Sequence, residues 1–165
     1  MIEYLPLVLT GLGLTASIFY YTITLRNANK TRETQLILQI MNKMDDFSEL
    51  WNHLTYIWTW TNIDEFWQKY GPENNITDWI KLFRFSAFIE NLGVLVNRGS
   101  LDADLLDDIF AGVIIYYWEK YGPVFIDLRA RWDMPDISLW TEKMVDKLKE
   151  VRKKKGTHTE TMKVK

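Results

Sequence analysis

The sequence predicts an all-α protein: a single N-terminal transmembrane helix followed by a compact cytoplasmic helical domain of about five to six helices. A charge-free apolar run opens the chain, and beyond it apolar residues recur at steps of three and four. No stretch alternates with period two for long enough to require a sheet.

The span comes first. Tyr4 to Leu25 is 22 residues without a charge, which as a helix measures roughly 33 Å, close to the roughly 30 Å of a bilayer core. Tyr4 at one end and Phe19, Tyr20 and Tyr21 toward the other suit the two interfaces. Pro6 falls in a first turn, where its missing N–H is not needed. The chain begins Met-Ile-Glu and shows no small-residue cleavage site before Arg26, so the run reads as an uncleaved anchor. Glu3 flanks one side and Arg26, Lys30 and Arg32 the other, which orients the N-terminus outside and the C-terminal domain in the cytoplasm, at the cell membrane. Gly13 and Ser17 form a small-xxx-small pair that lets helices approach. On this reading 4–25 is the span, 26–35 a basic juxtamembrane segment, 36–154 the helical domain and 155–165 a disordered basic tail.

The helices of the domain follow in order. Thr31 can cap a helix whose apolar positions are Ile37, Met41, Met44, Phe47, Trp51, Leu54 and Trp58; this helix either starts there or continues out of the membrane. Thr61 and Asp64 open a short helix to Tyr70, stopped by Gly71-Pro72. From about Asn75 to Asn97 apolar residues occupy nearly every direction, which predicts a central helix closed by Gly99. Asp102 caps the next, ended by Gly122-Pro123, with Pro123 opening a further helix to Arg131. The last runs from about Asp136 to Lys154 with Ile137, Trp140, Met144, Leu148 and Val151 on one stripe.

Composition narrows the function classes. The chain is 47% hydrophobic with no cysteine, which removes thiol chemistry, disulfides and Cys-ligated metals. His53 and His158 are too far apart for a local metal pair. Between Gln35 and Thr141 stand 16 acidic and 8 basic residues, against 4 and 9 from Glu142 to Lys165. An acidic body argues against nucleic acid as a partner. The cluster Asp102, Asp104, Asp107 and Asp108 lacks the glycine and glutamate of a calcium loop and reads as carboxylates at a helix N-terminus. The eight tryptophans, at core spacing or helix ends, read as packing. No phosphate-binding, dinucleotide or nucleophile-elbow motif occurs, and no cofactor is expected.

One run has a familiar pattern. Phe88-Ile-Glu90-Asn-Leu92-Gly93-Val-Leu95-Val-Asn-Arg98-Gly99-Ser-Leu101-Asp102, then Tyr117-Trp118-Glu119-Lys120 and Arg129, resembles an uncharacterised prokaryotic family known only as a domain of unknown function. The resemblance covers Tyr4 to about Leu148 and implies a membrane helix, a basic juxtamembrane stretch and an all-helical cytoplasmic domain. It implies no activity.

Two groups of residues are candidate sites. Ile80, Phe83, Ala87, Glu90 and Val94 share one helical face, which places a carboxylate among apolar neighbours. Arg129 and Arg131 are its natural partners, either as an internal ion pair fixing helix register or as a ligand site. Arg26, Lys30, Arg32, Arg152, Lys153, Lys154 and Lys155 are candidates for lipid-headgroup contact, the alternative for the last four being a solvated helix end. Two functions fit: a membrane-anchored accessory or regulatory module that binds a protein partner or itself, and a tethered sensor or enzyme with an interhelical pocket near Glu90 and Arg129.

Overall fold

A computed structural model of the chain describes residues 5–156, with side chains from Leu12 onward. Among the described residues the regular elements are all helical, without strands, in the order α1 (Leu5–Asp45), α2 (Ser48–Asn52), a π-helical turn (His53–Ile57), α3 (Ile63–Tyr70), α4 (Ile76–Asn97), α5 (Ala103–Trp132) and α6 (Leu139–Lys155). The chain divides into two compact units, Met1–Ser48 and Glu49–Lys165.

The first unit is dominated by α1, 41 residues long, so the helix runs through Thr31 without a new start. Thr31 spends its hydroxyl on the Asn27 carbonyl at 3.0 Å rather than on a cap, and Ser17, Thr22, Thr24 and Thr34 bond back four residues in the same way. Leu12, Leu14, Ile18, Phe19, Ile23 and Leu25 are all exposed. Among the described residues no helix is long and apolar enough to cross a membrane. Tyr4 and the side chains of 5–11 lie outside those residues. The part of the run whose side chains are described, Leu12 to Leu25, amounts to about 21 Å of helix.

In the second unit α3, α4 and α5 each start on a side-chain cap. Asn62 caps α3 by accepting from the Glu65 N–H at 2.9 Å, and Glu65 reaches back to the Thr61 N–H at 2.7 Å. Lys69 and Thr61 together hold the Glu65 carboxyl down at about 2. Asn75 opens α4 on the Asp78 N–H, and Asp102 opens α5 on the amides of Asp104 and Leu105. α4 closes as a Schellman turn: Gly99 adopts φ 70°, and the Ser100 N–H donates to the Leu95 carbonyl at 2.9 Å.

α6 packs on both α4 and α5, and α3 packs against the same two helices. Leu82, Phe85, Ile89, Leu106, Ile114, Tyr117, Tyr121, Phe125, Leu128, Met144 and Leu148 form the core. Rings thicken it at one side, where Trp60 lies 4.9 Å from Phe66 and 5.2 Å from Tyr121, and Trp58 stacks on Tyr70 at 5.0 Å.

Three expectations change. The Gly122-Pro123 stop does not operate: α5 runs unbroken from Ala103 to Trp132 with Pro123 inside it. A proline in a helix interior costs about 3 kcal/mol. Tyr121, Val124, Phe125 and Leu128 are fully buried around it, each contributing about 1.5–3 kcal/mol, so packing outweighs the lost bond. The helix expected through Trp58 breaks after Asp45 and ends in the π-helical turn. The last helix starts at Leu139 rather than Asp136, because Asp133 and Ser138 take left-handed backbone in the connection.

Gly93 permits a close approach between α4 and α6. A Cβ there would lie 2.4 Å from the Trp140 carbonyl oxygen and 2.9 Å from the Thr141 nitrogen, both backbone atoms of α6 that cannot swing aside. Gly93→Ala should therefore destabilise the second unit by about 3 kcal/mol through overpacking. Gly112 meets nothing nearer than the Arg152 guanidinium at 3.9 Å, so Gly112→Ala should be neutral or stabilising by up to about 1 kcal/mol. Urea unfolding of the two variants measures the contrast.

Candidate functional site

Two of the candidate residues, Glu90 and Arg129, converge on the first turn of α6. Ser138 stands at its N-cap position without a side-chain bond to the helix, which leaves the first amides needing partners. Glu90 of α4 supplies them: its Oε1 accepts from the Trp140 N–H at 3.0 Å, and its Oε2 accepts from the Thr141 N–H and hydroxyl, both at 2.7 Å. A carboxylate at this place also meets the positive end of the helix dipole. Gly93, one turn on, admits the α6 backbone. Asn97 completes the seam, its amide nitrogen donating to the Gly93 carbonyl at 2.8 Å and the Trp140 carbonyl at 3.4 Å.

The expected ion pair between Glu90 and an arginine is thus replaced by a helix cap, because the free amides of α6 lie within reach of the carboxylate. Arg129 acts on the same turn from α5. Its Nε donates to the Ile137 carbonyl at 2.8 Å, and its buried Nη2 lies 2.9 Å from the Glu142 carboxylate at an angle that makes no hydrogen bond. Glu90 and Arg129 therefore share a target without pairing. Arg131 is elsewhere: it pairs with Asp127, lies 3.9 Å from Asp64, and stacks over the Trp67 ring at 4.9 Å. With Trp67, Gly71, Pro72, Glu73 and Trp132 it lines a surface depression of about 110 Å³. The face expected to bury Glu90 is an outer one, with Ile80 49% and Phe83 40% exposed.

The basic candidates divide. Arg152 donates to Asp107 at 2.8 Å, and Lys155 reaches Asp107 at 3.2 Å and Asp108 at 2.7 Å. The Asp108 bond, followed by Asp107, pushes the Lys155 ammonium well above the ordinary lysine range. Lys155 is thus the last residue of α6 rather than the first of a tail, and 157–165 lie outside the described residues. Lys153 and Lys154 are exposed, as are Arg26, Lys30 and Arg32.

One polar cluster had no sequence signal. At the π-helical turn the Lys120 ammonium donates to the carbonyls of Leu54 at 2.6 Å and Thr55 at 3.1 Å. The Tyr121 hydroxyl donates to Leu54 at 2.8 Å and that of Tyr116 to Thr55 at 3.3 Å. These carbonyls end a helix and need donors, but the donors come from more than sixty residues away.

If Glu90 is a cap and not an ion-pair partner, a double-mutant cycle separates the two. Glu90→Ala should cost about 2–4 kcal/mol, as charged hydrogen bonds to two amides and a hydroxyl are lost. Its coupling energy with Thr141→Val should reach about 1 kcal/mol, and that with Arg131→Ala should be near zero.

The geometry is that of an internal junction, its polar groups turned on one another. No curated protein and no solved structure matches the chain. A family model does, over residues 7–148, a range that holds the whole Glu90–Gly93–Asn97 seam and its Trp140–Glu142 target. The chain belongs to the family described as Domain of unknown function (DUF4760).

Proposed function

We propose that the chain is a membrane-anchored helical module that binds a protein partner or a second copy of itself, in an accessory or regulatory role. The observation that carries the reading is the charge-free run from Tyr4 to Leu25 together with the exposure of Leu12, Leu14, Ile18, Phe19, Ile23 and Leu25 along α1. Exposed apolar side chains on two opposite sides of a helix call for an apolar surrounding. Arg26, Lys30 and Arg32 beyond the run favour a single pass with the N-terminus outside and the helical domain in the cytoplasm. Lys153 and Lys154, exposed and unclaimed by the Asp107 cluster, favour contact with anionic headgroups. The outer face of α4, with Ile76, Ile80 and Phe83 exposed, supports a protein partner. The second reading, a tethered sensor or enzyme at Glu90 and Arg129, has less support, since both side chains are engaged with the start of α6.

Carbonate washing of membranes from cells expressing the full chain tests the anchor. The protein should stay in the pellet, and Leu14→Arg should shift it to the supernatant, because an arginine at the centre of a span costs about 2.5–3.5 kcal/mol. Release of the unaltered chain by the wash would end the proposal. In sealed right-side-out vesicles a C-terminal tag should resist added protease, and its digestion would reverse the orientation.

A further inference from the structure

Lys120 is set apart from the other described lysines by what surrounds it. Its side chain is half-buried on α5, with Nζ 5.3 Å from the Trp60 ring centre and 5.6 Å from that of Tyr121. Lys43, Lys69, Lys81, Lys149 and Lys155 each face a carboxylate. Among the described residues Lys120 faces two main-chain carbonyls, phenols and rings, with no carboxylate paired to it. A buried ammonium without a counter-ion is disfavoured against the neutral amine. The carbonyls need only two of its hydrogens, so the neutral amine can keep both bonds and hold its lone pair free.

We propose that the Lys120 amine is an acylation site of this chain, reacting with small acyl phosphates. The Nζ lone pair attacks the acyl carbon and an N–C bond forms. The C–O bond to phosphate breaks, phosphate leaves with that electron pair, and the amine proton passes to water. The product amide keeps one N–H for one carbonyl. The other carbonyl retains its phenol, Tyr121 for Leu54 or Tyr116 for Thr55, so the modified chain keeps its fold. The surroundings also supply the reactive form: burial draws Lys120 from the ordinary 10.5 down to about 8. At a pH of about 7.5 roughly a quarter of such an amine is neutral, against about one in a thousand for an ordinary lysine.

The test treats the full-length chain with acetyl phosphate at a pH of about 7.5 and follows each lysine by peptide mass spectrometry over time. Lys120 should acquire acetyl at least about tenfold faster than the exposed Lys153 and Lys154, and the advantage should vanish in concentrated urea. From a pH of about 7 to about 9 its rate should level off while theirs keep rising. A Lys120 rate equal to or below theirs in the folded chain overturns the proposal. So does an advantage that survives urea, which would trace to local sequence rather than to the fold.

Discussion

The first turn of α6 has no cap of its own, and the packing of the second unit is organised around meeting that need from elsewhere. A helix start leaves amides without partners, and burying them unmet costs about 1–3 kcal/mol each. Glu90 satisfies two, but only because Gly93 lets the α4 backbone come within reach. Arg129 then ties the preceding Ile137 carbonyl to α5. One turn of one helix thereby fixes the register of three.

The other end of α6 is secured by the opposite charge. Arg152 and Lys155 sit where the negative end of the helix dipole favours cations, and both meet Asp107 near the start of α5. Asp107 is 8% exposed, so this contact is less open to solvent than the surface pairs of the same helix. Between the two polar ends Met144, Val145 and Leu148 are buried. Anionic clamp, apolar middle and cationic clamp follow one another along α6. The arrangement pairs Arg152 and Lys155 with carboxylates of α5 and leaves Lys153 and Lys154 exposed.

Much of this was legible in the sequence, and the rest failed for physical reasons. Local signals did well: Asp102, Gly71-Pro72 and Gly99 act within a few residues of where they stand. Gly122-Pro123 repeats the Gly71-Pro72 signal and does not stop its helix, because the surrounding core outweighs a local preference. Glu90 stood out as a carboxylate requiring a partner, but its partners are backbone amides, which leave no mark in a sequence. The Ile80 and Phe83 face has the periodicity of a core face and is exposed, since spacing identifies a face and not what covers it. Lys120 carried no motif, and its site exists only where α5 meets a turn far away in the chain.

Native-state hydrogen exchange, amide by amide, at Trp140 and Thr141 reports directly on the cap that Glu90 gives to α6. First-turn amides of an ordinary surface helix exchange quickly, because nothing inside the helix accepts from them. Held by Glu90, these two should exchange as slowly as the core amides around Met144, opening only when the whole unit unfolds. Exchange at the rate of an uncapped helix start, with Met144 still protected, would show that Glu90 does not hold these amides.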